Sequence, residues 1–380
     1  MNFELVAVAL AGALVGYFNG ANDVSKGIAT LVGSGVTNYR RAILWGTLCT
    51  GLGGLSGALL ATAMIQTFGK GLLSDATTPT FAAALATILG ASAFVALATR
   101  TGMPVSTTHA IVGSVVGVAA LAYGFAGIRW SALLGKIALP LLLSPVLALG
   151  LTSVAIRLLR LIQRRYFPDA DCACATVELT PVAAGVAMDG TASATLALPS
   201  FGVKVAAKEE CAADHTTLLG IGPHHLHWLT SGATSFARGM NDAPKMVAII
   251  LAAALLHGHY QIRTSAFVLV TLGMVAGSWL AGRRVTQVLA ERITPMGHWE
   301  GFLANAVTAM LVMPGAALGL PMSTTHVSSG SIMGIGLEER ARVNWRTVRE
   351  MLLAWIVTLP VAGLLGILVY FALQAAHFQP

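Results

Sequence analysis

Two polar motifs occur twice in this chain, in the same order and at nearly the same spacing. Gly20-Ala21-Asn22-Asp23-Val24-Ser25-Lys26 and Gly239-Met240-Asn241-Asp242-Ala243-Pro244-Lys245 both read G-x-N-D-x-x-K. Gly102-Met103-Pro104-Val105-Ser106-Thr107-Thr108-His109 is matched by Gly319-Leu320-Pro321-Met322-Ser323-Thr324-Thr325-His326. Each copy of the second motif reaches a Gly-Ser pair four residues past its His, at Gly113-Ser114 and Gly330-Ser331. The two copies are 219 residues apart for the first motif and 217 for the second. Such agreement marks an internal duplication, and any fold proposed for the chain must contain two related halves.

The solvent for that fold follows from composition. The 380 residues are 56% hydrophobic and only 10% charged, where soluble domains run near a quarter charged. A bilayer core of about 30 Å takes roughly 20 apolar residues per helix. Apolar segments predict spans near 3–34 (interrupted), 42–66, 81–98, 104–124 and 133–156, then 226–256 (interrupted), 264–282, 300–318, 322–336 and 351–373. Phe3–Phe18 lacks a basic start and a small-residue cleavage site, so it reads as the first span and not as a signal peptide. With the N-terminus outside, fourteen basic residues, including Arg40, Arg41, Arg164, Arg165, Arg283 and Arg284, fall on the cytoplasmic side. Only Lys70, Arg129, Lys136 and Arg263 fall outside, the asymmetry expected of a membrane topology. Five spans per half place the second half upside down relative to the first. The expected fold is an all-α polytopic membrane protein of two inverted repeats with discontinuous helices, multi-pass in the cell membrane. Its parts are 1–165, a cytoplasmic insert at 166–222, and 223–380. The net charge of +7 reports topology and not nucleic-acid binding. The lipid bilayer is the expected partner, and a homodimer is left open.

The insert is more polar, with short alternating runs at Thr195–Leu198 and Val203–Val205 that predict a hairpin. Cys172, Cys174 and Cys211 with His215 form a candidate Zn²⁺ set. The spacing C-x-C…C-x-x-x-H is not that of a standard finger, so incidental reduced thiols are the competing reading. A disulfide is not expected on a cytoplasmic face. His224, His225 and His227 beside Trp228 read as a membrane-interface run.

Intramembrane carboxylates are costly unless paired or solvated, so Asp23 and Asp242 read as functional. Gly20 with Asn22, and Gly239 with Pro244, are helix-interrupting combinations; freed carbonyls there, with the Asn oxygens, suit a cation such as Na⁺. The second motif reads as a helix start, with Pro early and hydroxyls after it. Free N–H groups and the positive end of the helix dipole favour an anion there. Ser106, Thr107, Thr108, Ser323, Thr324 and Thr325 are accordingly candidate oxyanion donors. His109 and His326 are candidates for proton relay, substrate binding or a bond across the halves. Lys26 and Lys245 follow their aspartates by three residues. They either hold the helix by a buried ion pair or occupy ground where a coupling cation would bind. Arg238, whose counterpart is Asn19, and Arg100 either attract an anion or snorkel.

At these residues the chain resembles the inorganic phosphate transporter (PiT) family, whose signature is a G-A-N-D-V-A-N-A-like motif in each half with G-x-P-[VI]-S-T-T-H. The likeness covers both membrane halves, all but 166–222. It implies cation-coupled phosphate uptake by alternation of inverted repeats. It further implies phosphate on the S-T-T elements, and cation and substrate at Asn22, Asp23, Asn241 and Asp242. The chain departs from the pattern at Ser25-Lys26 and Pro244-Lys245, and Cys49 stands where many relatives carry Glu, with no acidic residue in 42–66. Coupling by Na⁺ or H⁺ is therefore open, as is the oxyanion, since the family includes sulfate permeases. A G-x-x-x-x-G-K-[ST] loop for ATP is absent from the sequence, which argues against primary active transport. Ser and His three apart, duplicated symmetrically, suit a binding site better than a hydrolase. The expectation is a carrier and not an enzyme or a channel.

Overall fold

A computed structural model describes residues 3–69, 71–166, 172–183, 195–214, 216–255, 263–337 and 343–376. It divides into two compact units: Met1–Ala155 with His227–Pro380, and Ile156–Leu226.

The first half of the larger unit runs α1 (Phe3–Asp23), α2 (Ser25–Gly33), α3 (Tyr39–Leu60), α4 (Thr62–Gly69), α5 (Phe81–Thr101) and α6 (Thr107–Tyr123). After α7 (Trp130–Ala132), a π-helical stretch, Leu133–Ala138, leads into α8 (Leu139–Tyr166). Within the smaller unit, β1 (Cys172–Ala183) pairs antiparallel with β2 (Thr195–Ala206) and with β3 (Thr217–Ile221), with α9 (Lys208–Ala213) between β2 and β3. The second half follows as α10 (Pro223–Leu255), α11 (Arg263–Ala281), α12 (Arg283–Glu291), α13 (His298–Ala317), α14 (Thr324–Leu337) and α15 (Trp345–Ala375).

Local chemistry sets many of these ends. Asn38, Thr80 and Asn344 cap α3, α5 and α15 by accepting from Arg41, Ala83 and Thr347 N–H groups, replacing a helical bond the first turn lacks. Gly102 ends α5 at φ 75°, a left-handed turn that glycine adopts without a Cβ penalty.

Each expected span falls on helix, with two differences of substance. Among the described residues, five helical segments are long and apolar enough to cross a membrane: Tyr39–Leu60, Phe81–Thr101, Trp130–Tyr166, Arg263–Ala281 and Trp345–Ala375. Helices α6 and α14 have 17 and 14 residues. At 1.5 Å per residue the described lengths reach roughly 25 and 21 Å, shorter than a bilayer core of about 30 Å. The second difference is the expected break. In the first half it shrinks to Val24, which keeps helical angles (φ −56°, ψ −31°) and a bond from its N–H to Gly20 O at 3.2 Å. In the second half α10 continues through Pro244 without a break. A proline removes one donor only, and packed neighbours in a membrane bundle tolerate that.

The motif glycines explain why the chain can pack this way. A Cβ on Gly20 would collide with the Met274 carbonyl of α11, and one on Gly239 with the Thr50 carbonyl of α3. Gly113 meets the Leu359 carbonyl of α15, and Gly330 the Pro145 carbonyl of α8. The packing is reciprocal: α1 lies on α11 while α10 lies on α3, and α6 lies on α15 while α14 lies on α8. Backbone contact at small residues is the means of association open to helices in lipid.

Gly239→Val is expected to overpack this contact by about 1–3 kcal/mol or more. It should scatter the protein on size-exclusion chromatography in detergent. Gly150→Val, where a Cβ meets nothing within 4 Å, should elute as the parent does.

Candidate functional site

Asn22 and Asn241 tie the two motifs together within each half. Asn22 Nδ2 donates to Thr99 Oγ1 at 3.2 Å and to Met103 O at 3.0 Å, and its Oδ1 accepts from Val105 N–H at 3.3 Å. Asn241 Nδ2 donates to Met322 O at 2.9 Å and to Asp242 Oδ1 at 2.8 Å. Each asparagine thus clamps the G-x-P-x-S loop of its own repeat against the N-D helix. The clamp fixes where α6 and α14 begin. Ser106 and Ser323 cap those helices, accepting from His109 and His326 N–H groups at 3.2 Å.

From the clamps a polar network crosses between the halves. Thr107 Oγ1 donates to Asp23 Oδ2 at 3.1 Å. Asn19 Nδ2 donates to Asp23 Oδ2 at 2.9 Å and to Asp242 Oδ2 at 3.2 Å, joining the two carboxylates. Lys245 Nζ donates to Asp242 Oδ1 at 3.1 Å, Thr108 Oγ1 at 2.7 Å and Met322 O at 3.2 Å. Lys26 Nζ donates to Asp23 Oδ1 at 2.6 Å, Asn22 Oδ1 at 2.8 Å and Asn22 O at 2.9 Å. All of these side chains are buried. Removing a charge from water costs several kcal/mol, which only tight pairing and full hydrogen bonding offset; both aspartates have a lysine in direct contact.

The hydroxyls divide by what they still have to offer. Thr107 and Thr325 spend their O–H groups on Asp23 and on the Val105 carbonyl. Ser106, Ser323 and Thr108 accept bonds, so each retains an O–H to donate. Thr324 is buried in the first turn of α14. His109 and His326 meet across the halves with ring centres 4.5 Å apart. His326 stacks on Trp355 and places Nδ1 3.2 Å from Leu141 O, and His109 Nδ1 and His326 Nε2 have no partner among the described residues. His109 also lines a cavity of about 630 Å³ with Val112, Ile137, Leu141 and Leu359; aliphatic walls exclude it as an oxyanion site.

Several residues stand apart from their expected places. His227 is buried and sits 3.0 Å from Thr30 Oγ1, so it is a packing residue and not an interface marker. Arg100 is exposed. Arg238 does not snorkel: it is fully buried, donating from Nη2 to Thr50 Oγ1 at 2.6 Å and Ser278 Oγ at 3.4 Å. In the smaller unit Cys172, Cys174 and Cys211 are buried with their sulfurs within 4.8 Å of one another. Cys174 and Cys211 are paired as a disulfide, where the sequence leads us to expect none; the candidate Zn²⁺ set stays a proposal that requires this pair in its reduced form. His215 lies outside the described residues. Asn19, Thr50, Thr99 and Ser278 were not singled out as site residues by sequence; Asn19, a lone amide one helical turn before Asp23, carried the one readable signal.

The sequence profile of the phosphate transporter family matches residues 19–366. A probable low-affinity inorganic phosphate transporter of Mycobacterium bovis is 27% identical over 374 residues, covering 97% of this chain and 77% of that protein. One of Bacillus subtilis is 26% identical over 375 residues, covering 97% of each. The solved structure of a sodium-dependent phosphate transporter superposes with a TM-score of 0.77 at 22% identity, covering 98% of this chain and all of that one; at that identity the likeness speaks for the fold.

Asn22→Ala and Asn241→Ala each strand loop groups that are now paired. Each is expected to cost about 1–3 kcal/mol, read as a fall in melting temperature of the detergent-solubilised protein, with the double variant lower than either single one.

Proposed function

The chain belongs to the phosphate transporter family, whose members are multi-pass membrane transporters and not enzymes, and from that premise we propose a secondary carrier that moves inorganic phosphate by alternating access, coupled to Na⁺ or H⁺. The observation that carries this reading is the network linking Thr107, Asp23, Asn19, Asp242, Lys245 and Thr108. It joins both N-D motifs to the start of α6, where the dipole and free N–H groups favour an oxyanion. Ser106, Thr107, Thr108, Ser323, Thr324 and Thr325, with Asn22 and Asn241, are the substrate residues of this reading. Asp23, Asp242, Lys26 and Lys245 carry the charge coupling, and the His109–His326 contact offers a proton path between the halves.

The reciprocal packing of α1 on α11 and α10 on α3 supports two inverted repeats whose exchange of conformations opens the site to either side. A second oxyanion is favoured by one feature only, the lysine beside each N-D pair, which would suit sulfate as well.

Uptake of labelled phosphate into proteoliposomes, competed by sulfate and arsenate, is the measurement. Phosphate flux inhibited by arsenate more strongly than by sulfate is expected. Sulfate flux without phosphate flux would replace the substrate. Asp23→Asn and Asp242→Asn should each lower uptake at least a hundredfold while the protein still inserts, and parental rates in both would remove the N-D motifs from transport.

A further inference from the structure

The buried formal charges among the described residues are five: Asp23, Asp242, Lys26, Lys245 and Arg238. They are not scattered. Lys26 and Lys245 touch the aspartates, and Arg238 lies within electrostatic reach of both. Three positive groups against two negative ones leave the cluster with one positive charge in excess when all are ionised.

The surroundings of the two ammoniums are those of a hard cation. Lys26 Nζ is held by a carboxylate, an amide oxygen and a main-chain carbonyl at 2.6–2.9 Å. Lys245 Nζ is held by a carboxylate, a hydroxyl and a main-chain carbonyl at 2.7–3.2 Å. Carboxylate, carbonyl and hydroxyl oxygens are also the ligands a hard metal cation takes. An ammonium has three protons to donate, and each lysine places three oxygens around its own. Oδ1 of each aspartate is therefore filled by the chain itself, and Oδ2 of each is held by the shared Asn19 amide.

We propose that Lys26 and Lys245 are tethered substitutes for mobile cations, so that substrate flux through this site requires no sodium. The inference rests on the carrier reading above. A free Na⁺ entering the cluster would add a further positive charge to one already in excess, and would have to displace an ammonium that cannot leave. An oxyanion meets the opposite situation. Arg238 makes no ion pair within 4.0 Å among the described residues, and its Nε and Nη1 have no partner. A guanidinium does not shed its proton, so this charge favours an anion over a further cation. A purely structural pair of ion pairs would place the same atoms together but would give sodium no role to lose or regain when the lysines are removed.

The test uses the full chain in two assays. In proteoliposomes at fixed pH, wild-type phosphate uptake is expected to agree within twofold between Na⁺, K⁺ and N-methylglucamine. Lys26→Ala with Lys245→Ala should lose at least tenfold in the absence of Na⁺ and recover part of that loss when Na⁺ is added. In detergent, Na⁺ against K⁺ should raise the melting temperature of the lysine variants by several degrees and leave the wild type unmoved, since a ligand stabilises only what it binds. Where the double variant is not monodisperse, Lys245→Ala alone is read the same way. Strictly sodium-dependent wild-type uptake overturns the proposal, as does a lysine variant with no Na⁺-specific gain in either assay. A wild type that moves no phosphate in any cation, beside variants stabilised by Na⁺, would overturn the phosphate reading and uphold the role of the lysines.

Discussion

Two aspartates buried in an apolar bundle must be neutralised, and the rest of the arrangement is the means of doing so. Asp23 and Asp242 each hold a lysine, and one amide, that of Asn19, bridges them. Because unpaired buried charge is so costly, neither N-D helix can turn or slide without its carboxylate losing several partners. That obligation locks α1 and α10 to each other and carries the lock outward to α6 through Thr107 and Thr108.

The same constraint accounts for the recurrence of the motifs as pairs. An N-D helix without its G-x-P loop would cost each asparagine its hydrogen bond to the Met103 or Met322 carbonyl. A G-x-P loop without its N-D helix would expose Met103 or Met322 carbonyls in a buried place. Close backbone approach at Gly20, Gly113, Gly239 and Gly330 brings the partners within reach. Each motif is thus a bonding partner for the other.

What could be read without coordinates were features with a local cause. Apolar runs give helices, and a proline followed by hydroxyls gives the start of α6 and of α14, because capping involves neighbours three residues apart. The features missed depend on distant partners. The continuity of α10 through Pro244 is decided by the helices around it. The burial of His227 and Arg238 is decided by α2 and by Thr50 and Ser278, and no periodicity in the sequence announces it. The asparagine clamps pair residues about eighty positions apart. The Cys174–Cys211 bond forms because β1 and α9 fold onto one another; compartment reasoning alone pointed the other way.

Duplication makes the two halves alike, yet the position before each motif glycine holds Asn19 in one and Arg238 in the other. One is a neutral bridge that touches both carboxylates; the other is a charge that touches neither. Swapping the conformations of the halves would therefore not return the site to an equivalent arrangement. For the alternating-access carrier proposed above, the two end states would thus differ in energy, and one facing would be favoured over the other before any gradient is applied.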